Sequence, residues 1–208
     1  MSFAGVEACF SGHRVLPVIT PHSLESGLTV ARLLFEAGLR MQEITLRTAA
    51  ALPTIAALGR ELPQLIVGAG TVLNAQQGEA AIAAGARFLV SPGCTAPLLD
   101  FAADCAVPFI PGIATVSEAM TLQARGAGVA KLFPAQALGG VALLKSLASV
   151  LPALKFCPTG GIDARLAPDY LQQPNVLAVG GSWMVTDDWV KAQRWTQVRL
   201  AAEQAAAL

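Results

Sequence analysis

LIVGAGTVLNAQQGEAAIAAGARFLVSP, residues 65–92, contains the unit from which the fold follows. A short apolar run, LIVGAGT (65–71), reads as a strand. An Ala-rich stretch with helical spacing follows over about 75–84, with Asn74 ahead of it as a plausible N-cap. Gly85 stands directly behind it, where a helix C′ glycine belongs. AGAR is then the turn into a second strand, RFLVSP (87–92).

The unit repeats in both directions. Further strands are expected at RVLPVIT (14–20), MQEITLR (41–47), PFIPG (108–112), GVAKLFP (128–134), LKFCPTGG (154–161) and VLAVGGS (176–182), which makes eight. Helices are expected over about 23–37, 50–61, 95–104, 116–125, 139–150, 163–172 and 187–206, with one more over about 2–11 ahead of the first strand. Ser23, Thr95 and Thr115 are plausible N-caps, Asp187 a candidate cap for the last helix, and Gly38 a C′ glycine. Eight strand–helix units in 208 residues point to an α/β chain folded as a single (β/α)8 TIM barrel with an extra N-terminal helix, one domain over 1–208. A doubly wound open sheet is the alternative. It usually shows a glycine-rich dinucleotide turn after its first strand, and PVITPHS carries none.

Composition narrows the function. Hydrophobic residues make up 54% and charged residues 13%, so the chain can bury a sizeable core. Formal charge is zero, from 14 basic and 14 acidic residues, and aromatics are 6%. With no basic stripe and few stacking residues, nucleic acid is not the expected partner. Cys9, Cys94, Cys105 and Cys157 form no CxxC pair and read as free thiols of a reducing cytoplasm. The N-terminus has no basic stretch followed by a long apolar core, and no apolar run reaches about 18 residues. Neither a signal peptide nor a membrane span is expected.

In such a barrel, chemistry sits where strands end and βα loops begin. In the second strand, alternation puts Glu43, Thr45 and Arg47 on one face and Ile44 and Leu46 on the other. The apolar face should meet the outer helices, which turns Glu43 and Arg47 inward, where they need partners or a ligand. In the sixth strand Val129, Lys131 and Phe133 share one face and Ala130, Leu132 and Pro134 the other, so parity alone leaves Lys131 free to point either way. The chain has only four lysines, and none precedes Lys131. A lysine inside an apolar strand, kept from water near another cation such as Arg47, becomes a nucleophilic amine. Gly68 and Gly70 leave room for close backbone approach and Thr71 offers a hydroxyl. PTGG (158–161) and VGGS (179–182) pair glycines ahead of helices, as phosphate-holding loops do. His13 and His22 are the only histidines, and no HxH, HExxH, Cys/His cluster or GxSxG elbow occurs. A histidine-held metal is not expected.

One carboxylate, one amine, one arginine and two phosphate-type loops suit a lysine that forms a Schiff base with a phosphorylated keto acid. GLRMQEITLR (38–47) and GVAKLFPAQALGG (128–140) resemble the two signature segments of the 2-keto-3-deoxy-6-phosphogluconate (KDPG) and 4-hydroxy-2-oxoglutarate (KHG) aldolases. IVGAGTVLN, SPG, PGIATVSE, FCPTGGI and GGSW match that family in order over about 14–185. The resemblance implies a trimeric class I aldolase, without metal or cofactor, that cleaves KDPG to pyruvate and glyceraldehyde 3-phosphate. It makes Lys131 the Schiff-base lysine and Glu43 the general acid/base working through a water. It places Arg47 and Thr71 on the pyruvate carboxylate, Pro92 and Phe133 at the substrate, and Thr159 on the sugar-acid hydroxyls. Gly160, Gly161, Gly181 and Ser182 would take the phosphate. The TLR and PTGG forms favour the gluconate branch over the galactonate one. Many members carry arginine at the end of the first strand, where this chain has Thr20. Two other functions stand beside this one: an aldolase acting mainly on KHG, and a barrel that binds a phosphorylated sugar acid without turnover.

Overall fold

The computed structural model describes residue 3 and residues 5–208. The chain runs α1 (Val6–Cys9), β1 (Val15–Ile19), α2 (Leu24–Glu36), β2 (Met41–Thr45), α3 (Ala51–Glu61), β3 (Ile66–Gly70), α4 (Ala75–Ala83), β4 (Leu89–Val90) and α5 (Ala96–Asp104). It continues through β5 (Phe109–Ile110), β6 (Gly112–Ile113), α6 (Val116–Ala124), β7 (Val129–Leu132), α7 (Gly140–Val150), β8 (Lys155–Phe156), α8 (Ala167–Leu171), β9 (Val179–Gly181), α9 (Asp187–Lys191) and α10 (Trp195–Ala206). Every expected strand and helix has a counterpart. The start of the expected N-terminal helix, residues 2 and 4, lies outside the described residues.

All strand pairs are parallel. The regular ladders form a curled six-stranded sheet, β5-β4-β3-β2-β1-β9, and a three-stranded sheet, β6-β7-β8, rather than one continuous eight-stranded ladder. The expected fifth strand is cut at Pro111, which has no N–H to give a ladder. Its two pieces still serve both neighbours: Ser91 N–H donates to the Ile110 carbonyl at 3.1 Å and Lys131 N–H to the Pro111 carbonyl at 2.8 Å. At the other seam, Leu177 N–H donates to Phe156 and Gly180 N–H to Pro158.

Two apolar clusters lie on opposite faces of the strands. The larger joins strand residues such as Val15, Ile44, Leu89, Phe109, Ala130 and Leu132 to the helices. The smaller takes the alternate residues, Leu16, Met41, Val90, Ile110 and Val129, and draws only on the strands, the residues flanking them, and Val6 and Phe10 at the N-terminus. That is the inner face, closed at one end by α1 and its C-cap residue.

Local signals behave as their chemistry demands. Ser23, Asn74 and Thr115 accept hydrogen bonds from the N–H three residues on. Gly38 and Gly85 are left-handed, with φ 102° and 100°. Thr95 holds the N-cap place without a side-chain bond. Asp187 is the first helical residue of α9, and Thr186 takes the cap position instead. The expected last helix is two helices. Gln193 is left-handed at φ 51°, and Arg194 N–H returns to the Trp189 carbonyl at 2.8 Å, a Schellman stop built on a non-glycine. The expected helix over 163–172 starts late because Asp163 Oδ1 accepts from Arg165 and Leu166 N–H and holds a turn there.

At α6 the cap is reciprocal. Glu118 Oε2 accepts from the N–H groups of Ala114 (2.8 Å) and Thr115 (2.9 Å). Partial burial pushes the Glu118 carboxyl up, but these bonds and the Thr115 hydroxyl outweigh it and hold it below its ordinary value. Thr115→Ala is expected to cost about 1 kcal/mol of stability, read as a lower urea midpoint at unchanged slope. An unchanged midpoint would remove the cap from the stability account.

Candidate active site

Packing settles what alternation left open for Lys131. Val129 belongs to the inner cluster and Ala130 and Leu132 to the outer one. Lys131 therefore points inward, and it is 5% exposed. Its Nζ donates to Glu43 Oε1 at 3.2 Å and to Oε2 at 3.4 Å, and it stands 5.5 Å from the centre of the half-buried Phe133 ring. Glu43 is 1% exposed. Two opposite charges that share one buried site are a bonded acid–amine pair, and the amine is within proton-transfer reach of the carboxylate.

Arg47 does not complete an inward pair with Glu43. β2 ends at Thr45, and Arg47 lies exposed in the following loop, where its Nε donates to Thr71 Oγ1 at 3.1 Å. The charged group bonded to Lys131 is Glu43. Thr71 has φ 59°, a left-handed conformation uncommon for a threonine and found at sites that over-determine their backbone. The outer face of β2 is not wholly apolar: Gln42 is buried there and its Nε2 donates to the carbonyls of Ala31 and Leu39.

The glycines of GAGT admit close neighbours from within a strand. Both lie within β3, and neither has a positive φ. A Cβ on Gly68 would overlap the Phe88 ring, and a Cβ on Gly70 would overlap the Glu43 carboxylate. Gly70 is the floor on which the carboxylate rests. Gly70→Ala must push Glu43 off that floor, and a displacement on the order of 1 Å can cost 10²-fold. We expect kcat to fall at least about tenfold with circular dichroism unchanged. Full activity in this variant would show that the carboxylate position is not critical.

Pro92 is half-buried beside β6: a Cβ on Gly112 would overlap its carbonyl, and Gly112 pairs in register with Lys131. Thr159 is buried, with its hydroxyl donating to the Cys157 carbonyl at 3.3 Å. Gly160 and Gly161 are left-handed, at φ 99° and 75°. Gly181 lies in β9 without a positive φ and is needed because the Trp183 ring covers it. Ser182 is exposed.

A cleft of about 660 Å³ joins several of these groups. Arg47, Gly161 and Ser182 line it together with Thr20, Asp163 and Trp183. Glu43, Thr71, Pro92, Lys131, Phe133, Thr159, Gly160 and Gly181 are not in its wall. Val18 is, however, and it pairs in register with Glu43, so the cleft reaches the level of the buried pair.

Three features were not anticipated as site residues. Cys157 lies on the inner face, where burial pushes its thiol up to about 12, with Lys131 opposing and Glu43 adding, so it is a neutral thiol at physiological pH. Thr45 bonds Thr20 through their hydroxyls at 2.8 Å. Trp183 forms part of the cleft wall. Alternation already places Thr45 on the Glu43 face, and the same counting back from Thr159 reaches Cys157. Among the described residues no cluster of His, Cys, Asp and Glu could hold a metal ion, and no helix is long and apolar enough to cross a membrane.

The sequence model of the family described as "Aldolase: KDPG and KHG aldolase" matches residues 6–201. The KHG/KDPG aldolase of Escherichia coli (strain K12) is 44% identical over 191 residues, 92% of this chain and 90% of that one. The 2-dehydro-3-deoxy-phosphogluconate aldolase of Pseudomonas aeruginosa is 46% identical over 192 residues, 92% of this chain and 87% of that one. Among solved structures, the KDPG aldolase of Legionella pneumophila, with pyruvate captured at low pH as a covalent carbinolamine intermediate, superposes with a TM-score of 0.93. It is 41% identical, covering 96% of this chain and 97% of that one. The inward lysine–glutamate pair thus stands in a chain that belongs to the KDPG and KHG aldolase family.

Proposed function

We infer that this chain is a class I aldolase that cleaves 2-keto-3-deoxy-6-phosphogluconate reversibly to pyruvate and glyceraldehyde 3-phosphate. The observation that carries the inference is the Lys131–Glu43 pair, buried and bonded at 3.2 Å next to a cleft wide enough for a phosphorylated sugar acid. A binding protein has no need of a buried amine in that place.

The reaction follows from the pair. Lys131 passes a proton to the Glu43 carboxylate, and its free amine adds to the C2 ketone to give a carbinolamine. Glu43 returns that proton to the carbinolamine hydroxyl, which departs as water and leaves a cationic imine beside a Glu43 that is again a carboxylate. Glu43, working through a water, removes the proton of the C4 hydroxyl. The C3–C4 bond breaks, its electron pair moves into the imine as an enamine, and C4 departs as the aldehyde. The enamine takes a proton at C3, and water releases pyruvate and restores the amine. Arg47 and Thr71 hold the C1 carboxylate as bonded donors, with Pro92 and Phe133 walling the reacting carbons. Thr159 meets the hydroxyls. Gly160, Gly161, Gly181 and Ser182 receive the phosphate through backbone N–H and hydroxyl donors.

The two parallel sheets are read as the eight staves of one closed barrel, with the strand on either side of Pro111 as one stave and the bonds from Leu177 and Gly180 as the closing seam. The whole of 1–208 is then one domain. The assembly is a cytoplasmic homotrimer, and exposed Val116 and Met120, one turn apart on α6, offer apolar surface for it. Light scattering that returned a monomer mass would remove the trimer.

The reaction is tested by incubating the protein with pyruvate and borohydride and weighing it. The expected product gains one pyruvic acid less an oxygen, on Lys131. No adduct, or an adduct on another lysine, would defeat the mechanism. A higher kcat/KM on 4-hydroxy-2-oxoglutarate than on the phosphorylated substrate would move the assignment to the other activity in the family name.

A further inference from the structure

Thr20 and Thr45 stand opposite each other on neighbouring strands. Val18 pairs with Glu43 and Ile19 with Ile44, so Thr20 and Thr45 come next in register, and their hydroxyl oxygens lie 2.8 Å apart. Thr45 is fully buried, and among the described residues its hydroxyl has only Thr20 as a partner. Thr20 is half-buried and lines the cleft.

Two hydroxyls carry two protons, and one bond joins them, so one proton is left over. If Thr20 donated, the spare proton would be that of Thr45, buried with no acceptor, and desolvation penalises such a donor. The opposite polarity has no such penalty. Thr45 therefore donates to Thr20, and the Thr20 proton faces the cleft. A hydroxyl that already accepts a bond is the stronger donor for it. Its surroundings suit an oxygen acceptor of that half: Ser182, given to the phosphate above, shares the wall. On the same wall Asp163 Oδ1 accepts from Arg165 and Leu166 N–H, and the Asp187 carboxylate is bonded to His22 and Lys191.

We propose that Thr20 is a specificity-determining residue whose hydroxyl, oriented by Thr45, donates to an oxygen of the aldehyde half of the substrate, beyond the bond that breaks. The proposal rests on the aldolase function inferred above. Two residues along a parallel strand advance roughly 6.6 Å, which puts Thr20 that far past the level of Glu43, toward the leaving half and away from the carbons held on Lys131.

Two reactions of the same enzyme separate this role from a structural one. Exchange of the pyruvate methyl protons in deuterium oxide needs Lys131 and Glu43 but no aldehyde half, whereas cleavage of the phosphorylated substrate needs both halves. In Thr20→Val the ratio of cleavage kcat/KM to exchange rate is expected to fall about tenfold or more, chiefly through KM, and Thr20→Ser is expected to restore it to within a few fold. Should the valine variant not fold, Thr20→Ala carries the same comparison. Equal losses in both reactions would make Thr20 a structural support of β1 and overturn the proposal, as would an unchanged ratio. Wild-type protein that fails to exchange pyruvate protons would overturn the aldolase function itself, and the proposal with it.

Discussion

Lys131→Arg is expected to lose turnover by on the order of 10⁴-fold or more and to yield no borohydride-stable pyruvate adduct. Arginine keeps a positive charge beside Glu43 and much of the side-chain length. What it lacks is an amine that can give up a proton and form an imine, because a guanidinium stays protonated throughout the accessible pH range. A mechanism that used the cation only to attract a carboxylate would survive the change. The planar fork must also fit where an ammonium sat, 5% exposed and against Phe133. Circular dichroism and a urea midpoint are therefore measured on the same preparation. A folded Lys131→Arg protein that still cleaves substrate would show that charge, not nucleophilicity, was the contribution.

Glu43→Gln is expected to lower kcat by about 10²–10⁴-fold, the range for loss of a positioned acid/base, while pyruvate remains trappable on Lys131. Glutamine is isosteric and can still rest against Gly70, so the geometry of the floor is kept. It cannot accept and return a proton. It still offers an oxygen that can accept from Lys131 Nζ, so the amine keeps its position. Imine formation with pyruvate should therefore persist while proton transfer at the C4 hydroxyl fails. The two readouts, kcat and adduct yield, move apart under this account. An unchanged kcat would take Glu43 out of proton transfer, and loss of both readouts together would make it a structural partner of Lys131 only.

Much of the fold was legible in local chemistry. Asn74 and Thr115 cap helices because a short polar side chain one residue ahead of a helix can reach only those N–H groups. Gly38 and Gly85 end helices because the next turn needs a left-handed residue. The last helix reads as continuous in the sequence because its break falls on Gln193, a residue with no local signature for φ 51°. Backbone bonds from Gln193 and Arg194 N–H to the Val190 and Trp189 carbonyls close the helix there. The fifth strand reads as single in the sequence because Pro111, which breaks the ladder, still lends its carbonyl to Lys131 N–H.

In the site, residue type and order pointed to Lys131 and Glu43, and the apolar strands around them to a barrel-type sheet. Those follow from composition and period, which are properties of the chain alone. Direction and partnership were not. Whether Lys131 faced inward was decided by which cluster Val129 joined, and that depends on strands far away in sequence. Arg47, expected on the inner face with Glu43, lies exposed in the following loop because β2 ends two residues earlier than alternation extends. The close approach that Gly70 permits is that of the Glu43 carboxylate, and Gly181 also seats an indole, because side chains 27 and 2 residues away by number lie on them. The Thr20–Thr45 bond, 25 residues apart, exists only through register. Residue type and period carry the chemistry and the kind of element that bears it. Which groups meet follows from the fold alone, because contact across parallel strands is set by register and packing, which no local pattern encodes.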